Sequence, residues 1–180
     1  MRRLLLIIVT ALLGLLGVAG CAKASASGLV EGSVLAAADR PAAPTVTGDL
    51  LDGTGRYDLA NHRGEVVVIN FWGSWCAPCV AEADDLESTY QATKPNGVTF
   101  LGVNVHDELD LARRFAALRS TYPSVFDPAS KLALGFAVPP TAIPTTMIID
   151  RQGRIAAVAF SAVLRADLEP VVNQLAAESP

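Results

Sequence analysis

Basic clusters, histidine and cysteine are all scarce in this sequence, and each shortage removes a class of function. Lysine and arginine number 14 against 18 acidic residues, and the formal net charge is −4. No run of basic residues occurs, so nucleic acid has no electrostatic footprint to follow. The only histidines are His62 and His106. They lack the paired spacing usual for a zinc site and are expected as ordinary surface or loop residues. There is no internal repeat. Cysteine occurs three times, at Cys21, Cys76 and Cys79, an odd count that flags one thiol with a separate fate.

A long apolar run is present only at the start. Met1-Arg2-Arg3 precedes an uncharged stretch from Leu4 to Val18, then Ala19-Gly20-Cys21. A short basic start, an apolar core and small residues at its end make a secretory signal, here residues 1–20. The run is slightly short for a membrane span, which needs about 20 apolar residues. Val18-Ala19-Gly20-Cys21 resembles the bacterial lipobox, whose cysteine receives a diacylglyceryl thioether. Cys21 is therefore expected to be lipidated, placing the protein at the cell membrane on its extracytoplasmic face. Two acyl chains suffice for stable anchoring.

Residues 21–44 are rich in Ala, Ser, Gly and Pro and are expected as the lipidated N-terminus and a flexible tether, with a weak helix over Leu29–Asp39. The folded domain is expected over 45–180. Thr45–Leu51 and Arg56–Leu59 flank the turn signal Asp52-Gly53-Thr54-Gly55 and predict a hairpin. Glu65–Phe71 is a continuous valine-rich run, as in a central strand buried on both faces. A helix over Cys76–Thr93 follows, then a strand at Val98–Val103, a helix at Leu109–Ser120 and a short helix at Lys131–Phe136. Strands at Thr145–Asp150 and Ile155–Phe160 form a hairpin around Arg151-Gln152-Gly153-Arg154. An amphipathic helix over Arg165–Ala177 ends the chain.

Trp75-Cys76-Ala77-Pro78-Cys79 stands directly after the central strand and opens a helix. A cysteine there faces unsatisfied amide N–H groups and the positive end of the helix dipole, which stabilise its thiolate. The thiolate is the attacking species, so Cys76 is the expected nucleophile. Cys79, one turn later and expected to be the more buried, can close onto Cys76 as a mixed disulfide resolves. Pro78 near the first turn costs no helix hydrogen bond. Two other readings compete. A structural disulfide over so short a loop constrains little chain entropy, and a zinc site lacks two further ligands.

The order of elements is that of a thioredoxin domain, and the motif sharpens it. Val66-Val67-Val68-Ile69-Asn70-Phe71-Trp72-Gly73-Ser74-Trp75-Cys76-Ala77-Pro78-Cys79 is similar to the active-site strand and turn of the extracytoplasmic thioredoxin-like ResA/TlpA proteins, relatives of the reductants serving cytochrome c maturation. Ile143-Pro144-Thr145-Thr146-Met147-Ile148-Ile149-Asp150 matches their second signature. The similarity runs from about Pro44 to Ala177. It implies an α/β thioredoxin fold, a central mixed sheet flanked by helices, with an N-terminal hairpin and a central insert over Tyr122–Phe136. It also implies a cis Pro144 facing the cysteines, with the Ile143 backbone pairing with an extended substrate segment.

Glu82 stands where this group keeps an active-site glutamate, one turn past Cys79, placed to tune thiol pKa values or relay a proton. Asn70 occupies the position of thioredoxin's buried aspartate and cannot take a proton, which leaves Glu82 as the expected base. The family's proline five residues after the second cysteine is Asp84 here, so a straighter helix is expected. Trp72 is expected as scaffold and Trp75, with Ala77 and Pro78, as substrate-groove surface. Asp84-Asp85 reads as a solvated helix face.

The expected activity is thiol–disulfide exchange with no cofactor and no metal. The leading reading is a reductant of disulfides in exported proteins. The resemblance implies apocytochrome c as substrate and a membrane thiol carrier of CcdA/DsbD type as electron donor. A dithiol oxidase or isomerase for secreted proteins is the second reading. The third is a non-enzymatic lipoprotein that binds a metal or a partner.

Overall fold

The computed structural model describes residues 34–179; the signal segment and Cys21 lie outside the described residues. A two-stranded antiparallel hairpin, β1 (Thr47–Asp49) and β2 (Arg56–Asp58), precedes the main sheet. That sheet has five strands, β3 (Val66–Trp72), β4 (Val98–Val105), β5 (Ser124–Asp127), β6 (Thr145–Ile149) and β7 (Ile155–Ala159), in the order β5-β4-β3-β6-β7. β3 pairs in parallel with β4, and β4 with β5; β3–β6 and β6–β7 are antiparallel. The helices are α1 (Ala77–Thr93), α2 (Leu109–Arg119), α3 (Lys131–Gly135) and α4 (Arg165–Ala176). This is the mixed sheet flanked by helices that the element order implies.

β3 is buried at every position because both of its faces are covered. Val66 and Val68 point to the face where Leu86 of α1 and Leu168, Val172 and Leu175 of α4 pack. Val67, Ile69 and Phe71 point to the opposite face, against Tyr57 of the hairpin and Ala133 of α3. Alternation then carries Asn70 to the α1 side, where it meets Glu82. At the sheet's end Trp72 joins Cys76, Cys79 and Ala112 of α2 in a third cluster.

Two features differ from the expectations. The segment taken as an insert contains β5, which runs beside β4 with Gly102 opposite Ser124 and Val105 opposite Asp127. Pro123 and Pro128 bracket it, and so short a strand shows no readable alternation. Asp127 also accepts from the N–H groups of Lys131 and Leu132 at 2.9 and 2.8 Å, capping α3 from outside it.

The second difference is upstream. Residues 34–44, expected as tether, lie along the β6–β7 hairpin. Leu35 N donates to Ala156 O, Ile155 N to Pro41 O and Ala43 N to Gly153 O. Arg40 is buried and donates to Asp150 at 3.2 Å and to Glu178 at 2.6 and 2.7 Å. Composition cannot reveal this, because the segment is mostly alanine and proline and is held by backbone hydrogen bonds and one buried arginine. Of the expected Leu29–Asp39 helix, the described residues retain only a 3-10 turn at Ala37–Asp39.

Candidate active site

Cys76 caps α1. Its backbone is extended, at φ −86° and ψ 104°, and its Sγ accepts from Cys79 N at 3.3 Å. Pro78 sits in the first turn, where the missing N–H has no helical partner to lose. A Cys76–Cys79 disulfide closes the turn across a Cα–Cα distance of 5.2 Å. The two cysteines are buried almost equally, Cys76 at 4% exposed and Cys79 at 3%. The distinction between them is therefore position on the helix and not access. Cys76 receives the N-terminal N–H groups and Cys79 lies inside the first turn.

The Ile143–Pro144 peptide is cis, and the Ile143 carbonyl oxygen lies 3.8 Å from Cys76 Sγ. β6 and β3 are antiparallel with Phe71 opposite Thr145. That register carries Pro144 to the sheet edge from which Cys76 emerges. Ala77, Pro78 and Trp75 are exposed beside the pair, Trp75 to 57%. The Trp75 ring is held by Nε1 donating to His106 O at 2.8 Å. Trp72 is buried against Phe115 of α2, as expected for scaffold.

Glu82 is buried, 2% exposed, and among the described residues no cationic side chain pairs with it. Asn70 Nδ2 donates to its Oε1 and Val163 N to its Oε2, both at 2.8 Å. Burial pushes its carboxyl up to about 7, against the downward pull of the Val163 and Asn70 bonds. A cavity of about 20 Å³ lies between Asn70, Trp72, Cys79 and Ser124, room for about one water molecule. Asn70 thus borders the space beside Cys79 and also holds Glu82. Among the described residues, α1 is a single 17-residue helix through Asp84, which pairs with Arg119 at 2.8 Å. Asp85 does more than face solvent: it accepts from Arg165 N at 3.1 Å at the start of α4.

Val163 was missed by sequence reasoning, because it acts through its backbone N–H and no side-chain pattern marks it. His62 stacks on Tyr57 and bonds Glu65, away from the cysteines. Among the described residues no group of three or more His, Cys, Asp and Glu side chains could hold a metal.

The arrangement is a dithiol–disulfide centre at a helix N-terminus, facing a cis-proline and backed by a buried carboxyl group. Several known proteins are similar to this chain in sequence or fold. The chain is 33% identical over 112 residues to a thiol-disulfide oxidoreductase ResA from Geobacillus kaustophilus, covering 62% of this chain and 63% of that protein's length. A secreted thiol-disulfide isomerase from Corynebacterium glutamicum superposes with a TM-score of 0.76 at 36% identity, over 81% of this chain and 91% of that one. A DsbF homologue from Corynebacterium diphtheriae gives 0.74 at 34% identity, over 79% and 91%. These are thioredoxin-fold proteins, and the resemblance to ResA-type oxidoreductases read from the motif is borne out. The description AhpC/TSA family matches residues 40–158, from the buried Arg40 through both active-site signatures to β7, and the chain belongs to that family.

Proposed function

We propose that this chain is an exported, membrane-anchored thiol–disulfide oxidoreductase that reduces disulfides in exported proteins, apocytochrome c among them. The observation that carries this reading is the Cys76–Cys79 disulfide at the start of α1, with the Ile143 carbonyl 3.8 Å from Cys76 Sγ. In the reduced protein the Cys76 thiolate, stabilised by the first-turn N–H groups, attacks a substrate disulfide. One substrate sulfur leaves as a thiolate and the other stays bound to Cys76. Cys79 then attacks Cys76 Sγ, closing the internal disulfide and freeing the second substrate sulfur. Two electrons pass to the substrate, and a membrane thiol carrier of CcdA/DsbD type restores the pair.

Glu82, poised near neutral pH by its burial, takes the Cys79 proton as the ring closes and returns it on reduction. Ile143, beside Pro144, offers its backbone to an extended substrate segment, while Trp75, Ala77 and Pro78 present apolar surface to it. The signal-like leader and the lipobox-like Cys21 support a lipid anchor on the outer face of the cell membrane. Among the described residues no helix is long and apolar enough to cross a membrane.

The likeness to a secreted thiol-disulfide isomerase favours a second reading, in which the pair oxidises or isomerises disulfides in secreted proteins. The reduction potential of the full-length chain, measured in defined thiol buffers with alkylation, separates the two. A value near or below about −230 mV supports a reductant; a value near −120 mV overturns it in favour of disulfide formation.

A further inference from the structure

The turn that delivers Cys76 to its helix is gripped by a carboxylate outside the redox motif. Because β3 and β4 are parallel with Trp72 opposite Asn104, the segments after them leave the sheet at the same edge. Asp107 there accepts from Ser74 N at 2.6 Å through Oδ2 and from Ser74 Oγ at 2.8 Å through Oδ1. Asn104, fully buried on β4, donates to it at 2.9 Å, as does Glu108 N. The adjacent His106 has a positive φ of 50° and accepts from Trp75 Nε1 through its carbonyl. The indole lies so close over Gly73 that a Cβ there would stand 2.8 Å from Nε1. Ser74 and Trp75 are thus both tied to the segment after β4. Burial opposes the Asp107 charge, but the bonds from Asn104, Ser74 and Glu108 hold its carboxyl below the ordinary range.

We propose that Asp107 is a positioning residue for the redox pair, holding the Ser74–Cys76 turn so that Cys76 keeps its helix-capping pose once the disulfide opens. In the oxidised protein the S–S bond itself constrains the turn. Reduction removes that constraint, and the two Ser74 bonds to Asp107 then carry more of the load. A turn already in place recloses faster than a loose one, because less freedom is lost as the sulfurs meet. The step affected is attack of the Cys79 thiolate on Cys76 Sγ of a mixed disulfide. The Cys76–substrate bond breaks as the Cys76–Cys79 bond forms, and the electron pair leaves on the substrate sulfur. Loosening the turn slows this step and favours the open dithiol, which raises the potential. The inference rests on dithiol exchange at these cysteines and not on its direction.

The test uses the full-length chain, wild type, Asp107→Ala, Asp107→Asn and Ser74→Ala. Reduced protein is mixed rapidly with an aromatic disulfide, and release of the first and second aromatic thiolates is timed. Asp107→Ala is expected to slow the second release roughly tenfold. It is also expected to shift the equilibrium with a thiol buffer roughly tenfold towards the dithiol, about 30 mV more positive. Asp107→Asn, which keeps one acceptor oxygen, and Ser74→Ala, which keeps the backbone bond, shift both in the same direction by less. Wild-type potential and second-release rate in a folded Asp107→Ala protein overturn the proposal. If that variant does not fold, wild-type values in Ser74→Ala overturn it and shifted values support it. Absence of a second release in the wild type would instead sink the redox reading itself.

Discussion

Two carboxylates are buried almost equally in this protein and have opposite fates. Glu82 is 2% exposed and Asp150 3%. Among the described residues Glu82 receives one side-chain amide and one backbone N–H, and pairs with no positive charge. Asp150 receives Arg40 at 3.2 Å, Arg154 at 2.7 Å and the N–H groups of Gln152 and Arg154. Burial therefore wins at Glu82 and lifts its carboxyl to about 7. At Asp150 burial also acts upward, but the Arg154 and Arg40 bonds outweigh it and hold the carboxyl below its ordinary value. Burial alone does not set a carboxylate's protonation; its partners do. One region is built to hold a charge permanently and ties the 34–44 segment to the C-terminal part of the chain. The other leaves a buried carboxyl group held by two neutral donors, one helical turn past Cys79.

The sharpest way to break this contrast is Asp150→Ala. It leaves the buried Arg40 with one carboxylate partner, Glu178, among the described residues, so unfolding by urea should show a loss of about 3–5 kcal/mol. Thiol exchange in the protein that remains folded should stay at the wild-type rate. A loss well under 1 kcal/mol would remove the structural half of the comparison.

The pH dependence of stability comes next, and the two sites have opposite signs. Glu82 has a raised folded pKa, so the folded state holds its proton longer than the unfolded chain does. Its contribution is fully present below the ordinary value of 4.5 and is lost as pH rises towards about 7. The loss is on the order of 3 kcal/mol by the linkage relation. Asp150 has a lowered folded pKa, so its contribution is present above 3.8 and is lost as pH falls through the folded value. Urea unfolding of wild type and Glu82→Gln at pH 5, 6, 7 and 8 isolates the first effect. The variant should be less stable than wild type at pH 5, because its amide leaves one of two N–H donors unpaired, and the gap should close by pH 8. A constant gap would mean that Glu82 does not titrate in this range.

A smaller effect is expected in exchange kinetics. Glu82→Gln should run roughly tenfold slower at pH 7 and lose the wild-type inflection near that pH. Superimposable pH–rate profiles would remove Glu82 from the chemistry. Smallest of all is Arg154→Ala. Its side chain is 31% exposed, and Asp150 keeps Arg40 and two backbone donors, so thermal unfolding should show a cost of about 1 kcal/mol or less.

The strands and helices that carry the site were legible because their signals are local. The valine run predicted a strand buried on both faces, and Val66–Trp72 is that strand. The helix after Cys76 begins and ends within a residue of its expected limits. The final helix is amphipathic as its periodicity predicts, and it buries Leu168, Val171, Val172 and Leu175. β5 was not legible, since four residues between prolines give no period and their pairing partner is β4, far away in sequence. The packed segment at 34–44 was hidden for a related reason. Its hold comes from Arg40, whose partners Asp150 and Glu178 lie at the other end of the chain.

By itself the sequence determined which residues can do redox chemistry here. Two cysteines one helical turn apart, placed after an apolar strand, meet the dipole and the free N–H groups of a helix start wherever that helix goes. Tertiary structure decided what surrounds them. The parallel register of β3 and β4 brought Asp107 under Ser74, and the antiparallel register of β3 and β6 brought Ile143 to Cys76. Packing of the 160–164 segment against α1 supplied the Val163 N–H that Glu82 accepts. Those contacts join residues distant along the chain, so no local pattern encodes them. They exist only once the sheet has fixed which strand ends lie together.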